Sequence, residues 1–205
     1  MGDNFGKLYA EMRECAGCAL SKTRTNVVCG VGNEKSDIVF VGEAPGHYED
    51  KQGEPFVGAA GKLLTELLSG IGMKREDVYI ANVLKCRPPG NRSPMPEEIE
   101  SCRPYLERQL ELIKPRVICT LGNFALQAIT GKKMYITKAR GTVIEAGGYS
   151  IFPLYHPAAA LHRGDMRKPL EEDFVKLKEF LERAPMPEAG IAPGIKTSPE
   201  QLSFW

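Results

Sequence analysis

The stretch Val39-Phe40-Val41-Gly42-Glu43-Ala44-Pro45-Gly46 constrains the fold more than any other part of this chain. Its apolar run reads as a strand buried on both faces, the pattern of a parallel sheet covered by helices. The run breaks into a tight turn holding Gly, Pro and a carboxylate, and acids follow at Glu49 and Asp50. A carboxylate at the end of a buried parallel strand sits where open α/β sheets bind their ligands. A second apolar run, far along the chain, ends in Tyr155-His156-Pro157-Ala158-Ala159-Ala160-Leu161. The chain therefore carries two strand-end turns, one acidic and one bearing His.

Between these turns the pattern alternates. Residues 4–13 read as a short amphipathic helix leading into a cysteine pair. Residues 37–41 are strand-like, and 58–70 carry Leu63, Leu64, Leu67 and Leu68 at helical spacing. Residues 78–84 read as a second strand and 86–96 as a Pro/Gly/Asn loop. Pro96-Glu97-Glu98 opens a helix that runs to about Ile113, with Pro and acids in its first turn. Residues 116–121 form a third strand and 123–129 a short helix. Residues 141–145 and 149–155 resemble a hairpin whose second arm joins the sheet, and a last helix covers 170–182. Strands alternating with helices imply an α/β fold with a mostly parallel sheet. One domain, 1–183, is expected, followed by a Pro-, Gly- and Ala-rich flexible tail, 184–205.

The apolar fraction of 42% is ample for a core in 205 residues. No segment approaches the length of a membrane span, and the start of the chain lacks a signal-peptide apolar stretch. A soluble, cytoplasmic monomer is the expectation. The net charge of +1 excludes a globally basic nucleic-acid binder, so any DNA footprint must be local. Lys85, Arg87 and Arg92 form one candidate patch; Arg163, Arg167 and Lys168 form another. Each is equally compatible with a solvated charged face.

Six cysteines are present. Cys15-x₂-Cys18 is a chelating pair, and Cys86 and Cys102 flank the long loop. In a reducing compartment a metal or cluster is a better reading of such pairs than disulfides. Cys29 and Cys119 lie in apolar contexts and read as buried thiols. Zinc and a [4Fe–4S] cluster both accept four thiolates. The wide second pair tilts the reading toward the cluster, with zinc as the alternative. Two nucleotide-binding readings fail. Gly58-Ala59-Ala60-Gly61-Lys62 has Phe56 where a P-loop needs its first Gly and Leu63 where it needs Ser or Thr. Gly30-Val31-Gly32 lacks the third Gly of a dinucleotide fingerprint.

Taken together, several motifs resemble the family 4, iron–sulfur uracil-DNA glycosylases of the uracil-DNA glycosylase superfamily. They are Gly42-Glu43-Ala44-Pro45-Gly46 with Glu49-Asp50, Pro55-Phe56-Val57-Gly58, Asn82 before Lys85-Cys86-Arg87-Pro88-Pro89, Ile136-Thr137-Lys138, and His156-Pro157. The resemblance implies a three-layer αβα sandwich with a central four-stranded parallel sheet. It implies a [4Fe–4S] cluster on Cys15, Cys18, Cys86 and Cys102, and excision of uracil from DNA with no metal at the reacting carbon. His47 departs from the acid common at that position. Residues 137–142 lack the His of a related cross-linking branch, so no stable covalent DNA adduct is expected. A non-catalytic iron–sulfur or zinc protein that binds damaged DNA is the rival reading.

The resemblance suggests roles. An enzyme acting on a base in duplex DNA must extrude it from the stack. Leu161 is either a wedge into the vacated space or helix core. Phe56 is expected to stack on the base. Asn82 matches uracil, whose O4 accepts and whose N3–H donates. His156 is the candidate donor to the anionic uracil O2. Glu49 is the choice for positioning the attacking water, with Glu43 as second candidate or as a brace for the turn. Gly42 and Ala44 belong to the base-facing turn, where backbone N–H groups of Ala44 and Gly46 can orient base and phosphate. Finally, Gln201-Leu202-Ser203-Phe204-Trp205 resembles the short peptide that binds the bacterial sliding clamp.

Overall fold

A computed structural model describes residues 3–183. The tail 184–205, with its candidate clamp peptide Gln201–Trp205, lies outside the described residues.

The sheet is built around β2 (Ile38–Gly42), β3 (Tyr79–Asn82), β4 (Val117–Leu121) and β6 (Tyr149–Leu154). These four run parallel in the order β3-β2-β4-β6. The sheet is larger than the four strands expected. Two short antiparallel strands flank it: β1 (Val31–Gly32) beside β3, and β5 (Ile144–Ala146) beside β6. The β5–β6 hairpin follows the sequence reading. β1 has only two residues, one of them Gly, and no periodicity could announce it.

Alternate residues of each central strand serve opposite cores. Val39 and Val41 face α4 (Pro96–Ile113), α5 (Gly122–Thr130) and α6 (Ile136–Ala139). Ile38 and Phe40 face α3 (Ala59–Gly70), α7 (Pro157–His162) and α8 (Arg167–Arg183). This is the three-layer αβα arrangement. Leu63, Leu64, Leu67 and Leu68 are all buried on α3, as their spacing requires. Pro153 sits inside β6, but β5 reaches only as far as Ile151 on that side. The missing N–H of Pro153 therefore falls where β6 has become an edge.

At the N-terminus, Asn4 Oδ1 accepts from Lys7 N at 3.0 Å and caps α1 (Phe5–Glu14). α1 packs Leu8 and Met12 around Cys29 in a small third core. The last helix starts three residues earlier than its apolar pattern indicates. Three short helices, α2 (His47–Gln52), α6 and α7, occupy segments to which the sequence pattern gives no helix range. At four to six residues each, they are too short to express a helical period. No helix among the described residues is long and apolar enough to cross a membrane.

Candidate active site and cysteine centre

Parallel strands bring their carboxyl ends to one edge, and that edge gathers the predicted residues. Gly42 ends β2 and is the register partner of Asn82, which ends β3. A Cβ on Gly42 would lie 2.4 Å from Asn82 Oδ1 and 2.7 Å from the Phe56 ring. Only glycine lets these two side chains meet there. Asn82 is 2% exposed, and its Oδ1 is buried without a hydrogen-bond partner. Orphaned acceptors of this kind are rare and costly in folded proteins.

Phe56 has φ 55°, a strained conformation for a residue with a Cβ. Its neighbours hold it there. Glu49 Oε1 accepts from Val57 N at 3.0 Å and Gly58 N at 2.9 Å. Arg75 donates to the Pro55 carbonyl. Gly61 passes so close that a Cβ would overlap the Phe56 carbonyl, at 1.7 Å. The Phe56 ring is stacked on His156, with centroids 5.5 Å apart. Phe56 thus touches His156 and, like Asn82, closes on Gly42.

His156 follows β6 and caps α7. Its Nδ1 accepts from Ala158 N at 3.1 Å. An accepting Nδ1 puts the proton on Nε2. Burial lowers the ring from 6.5 to about 4, and the Glu49 charge offsets this only in part. The imidazole is therefore a neutral donor at neutral pH. In front of it opens a cleft of about 360 Å³ lined by Glu43, Ala44, Gly46, Asn91, Arg92 and His156, among others. Among the described residues no hydrogen bond reaches the Glu43 carboxylate, and burial raises it above the usual range. Asp50, next to Glu49, is a brace: its Oδ1 accepts from Thr25 N at 2.8 Å and Asn26 N at 3.3 Å.

Leu161 does not line the cleft. It is 47% exposed on α7, which removes the helix-core reading. The basic patches also sort themselves. Lys85 is 2% exposed and cannot meet DNA. Arg92 is paired with Glu98 at 2.6 Å, Arg163 with Asp165 at 3.0 Å, and Arg167 with Glu66 and Glu171 at 3.3 and 2.9 Å. Arg87 differs. Its Nε donates to Asn91 Oδ1 at 2.7 Å and its Nη1 to His47 Nδ1 at 3.2 Å. No carboxylate pairs with Arg87 among the described residues, and Asn91, which orients the guanidinium, lines the cleft. Sequence reasoning included Arg87 but could not see its supports, which lie four and forty residues away.

Cys15, Cys18, Cys86 and Cys102 line one cavity together with Met12, Leu20, Val27 and Leu84. Cys29 and Cys119 lie elsewhere, in the small α1 core and on β4. N–H groups already point at the sulfurs. Lys85 N lies 3.2 Å from Cys102 Sγ, Arg24 Nη1 3.4 Å from Cys86 Sγ, and Gly17 N 3.5 Å from Cys15 Sγ. Burial pushes the Cys102 thiol up to about 12 and raises Cys86. Four sulfurs in an apolar pocket, approached by N–H donors, suit a thiolate-held cluster.

Residues 29–181 match the uracil DNA glycosylase superfamily. The chain belongs to this superfamily. It is 53% identical over 186 residues to the type-4 uracil-DNA glycosylase of Archaeoglobus fulgidus, covering 87% of this chain and 94% of that protein. It is 50% identical over 176 residues to the type-4 enzyme of Thermotoga maritima, covering 84% and 92%. The type-4 enzyme of Saccharolobus solfataricus is 50% identical over 193 residues, covering 90% and 89%. Both signature turns lie inside the matched segment.

Proposed function

We propose that this superfamily member is a uracil-DNA glycosylase that hydrolyses the N-glycosidic bond of uracil in DNA and leaves an abasic site for repair. The observation that carries the reading is the buried, unpartnered Oδ1 of Asn82 beside Phe56. Uracil N3–H would satisfy that acceptor, and the Asn82 amide N–H would donate to O4. Cytosine offers the reverse pattern and would leave groups unpaired on both sides. Such mismatches discriminate by about 10⁴ or more.

Each wall has a task. Phe56 stacks on the extruded base, a contact worth about 1–3 kcal/mol. His156 Nε2–H donates to the O2 that gains charge as the bond breaks. A donor of this kind contributes about 2.7–4 kcal/mol to the transition state. Gly42 keeps the space open, and the backbone at Ala44 and Gly46 lines the base-facing turn. For the attacking water, the geometry favours exchanging the roles first assigned to the two acids. Glu43 faces the cleft without a partner, whereas Glu49 already spends one oxygen holding the Phe56 loop. Leu161, exposed one turn beyond His156, suits a wedge into the stack. Arg87, held by His47 and Asn91, suits a backbone phosphate.

The thiols of Cys15, Cys18, Cys86 and Cys102 would hold a [4Fe–4S] cluster, whose contribution is to cross-link the N-terminal segment to the loop bearing Arg87. The tail peptide Gln201–Trp205 would hook the enzyme to a sliding clamp.

The test is single-turnover release of uracil from an oligonucleotide, read by alkaline cleavage of abasic sites. Wild-type protein should make the uracil-bearing strand alkali-labile and spare strands with thymine or cytosine in its place. Asn82→Ala and His156→Ala should each slow release more than tenfold. A wild-type protein that binds uracil-bearing DNA without release would establish the non-catalytic alternative.

A further inference from the structure

Lys85 is too deep to touch DNA, yet all of it is engaged. Its backbone N–H donates to Cys102 Sγ at 3.2 Å. Its ammonium donates to the Asn82 carbonyl at 2.7 Å and to Gln109 Oε1 at 2.6 Å. Gln109 is locked in turn: its Nε2 donates to the Cys29 carbonyl and to Tyr79 Oη, each at 2.7 Å. Tyr79 Oη pairs with Tyr9 Oη, also at 2.7 Å. The ammonium is therefore fixed from β3, α4 and α1 at once.

Both acceptors of the ammonium are neutral, and among the described residues no carboxylate pairs with it. A buried charge without a counter-charge is strongly unfavourable. Lys85 also lines the cavity that gathers Cys15, Cys18, Cys86 and Cys102. Four thiolates outweigh the positive charge of a [4Fe–4S] core and leave the assembly negative. The missing counter-charge is then supplied across the wall of the cysteine cavity.

We propose that Lys85 is the internal counter-charge of the thiolate-held cluster and, through the same ammonium, the tie that fixes the end of β3 at Asn82. This rests on the cluster reading above. It makes Lys85 a positioning residue for the base-reading amide. A neutral donor of similar reach would satisfy the Asn82 carbonyl equally well, so the charge is what separates this role from simple packing. A positive charge beside a cluster favours its reduced, more negative state, because net local charge helps set the potential.

The experiment compares wild type, Lys85→Arg, Lys85→Met and Lys85→Gln as iron-loaded proteins with matched iron content. Film voltammetry gives the cluster potential, and loss of visible absorbance in air gives its lability. Lys85→Met and Lys85→Gln should shift the potential to more negative values and bleach several-fold faster, while Lys85→Arg stays near wild type. Lys85→Met, which removes the donor to the Asn82 carbonyl, should also raise KM for uracil-bearing DNA several-fold. Lys85→Gln keeps a donor and serves if Lys85→Met does not fold. Equal potentials and bleaching rates across the folded variants overturn the counter-charge. Wild-type protein that takes up no iron overturns the cluster reading itself.

Discussion

Acid titration of His156 puts the proposed chemistry at risk most directly. The ring is lowered from 6.5 to about 4 by burial. That displacement, roughly 2.5 units, is worth about 3 kcal/mol. Two consequences follow with definite sign. For catalysis, the ring stays a neutral Nε2–H donor from pH 8 down to about 5. The single-turnover rate should therefore show no inflection near 6.5 from this residue. For stability, the unfolded chain takes up the His156 proton first, near pH 6.5, while the folded ring resists until about 4. The contribution is whole above pH 6.5 and is lost as pH falls toward 4. Denaturant unfolding of wild type and His156→Gln, in steps from pH 7.5 to 4, isolates this term as their difference. Wild type should lose about 3 kcal/mol relative to the variant across that window. Single-turnover release by His156→Gln should fall roughly 10²–10³-fold at pH 7.5, the effect of losing one donor to a developing anion. Histidine signals in NMR give the ionisation directly, since only three histidines are present. A wild-type rate that falls through pH 6.5, with the fall absent in His156→Gln, refutes the neutral-donor mechanism. So does a stability difference that is flat with pH.

Other consequences are simpler to check. Gly42→Ala should abolish uracil release while leaving denaturant stability within about 2 kcal/mol, since its Cβ would collide with Asn82 Oδ1 and Phe56 rather than with backbone; wild-type activity in this variant would break the proposed base pocket. Arg87→Ala should reduce the slope of log binding constant against log salt by about 0.9, the signature of one lost phosphate contact; an unchanged slope would return Arg87 to the solvated surface. Asp173 is fully buried and meets Arg140 at 2.7 Å and Lys176 at 3.2 Å. Asp173→Ala should destabilise the fold by about 3–5 kcal/mol, because it strands the partly buried Arg140; chemical denaturation measures it.

Chain pattern alone determined the buried parallel strands, the two signature turns and the long helices α3 and α4. Those features are local: burial on both faces writes continuous apolar runs, and helical faces repeat every three to four residues. The four cysteines were also legible as a set, because chelation requires few residue types at restricted spacings. What tertiary structure decided is everything that depends on distant groups sharing a small volume. The sequence offers Lys85, Arg87 and Arg92 as three equivalent cations. Folding buries the first against Asn82 and Gln109, orients the second through Asn91, which lines the cleft, and neutralises the third on Glu98. It likewise separates two adjacent acids, giving Glu49 to the Phe56 loop and Asp50 to the Thr25–Asn26 backbone. Charge, tautomer and hydrogen-bond capacity at a site are set by neighbours in space, and a linear pattern carries no record of which neighbours those will be.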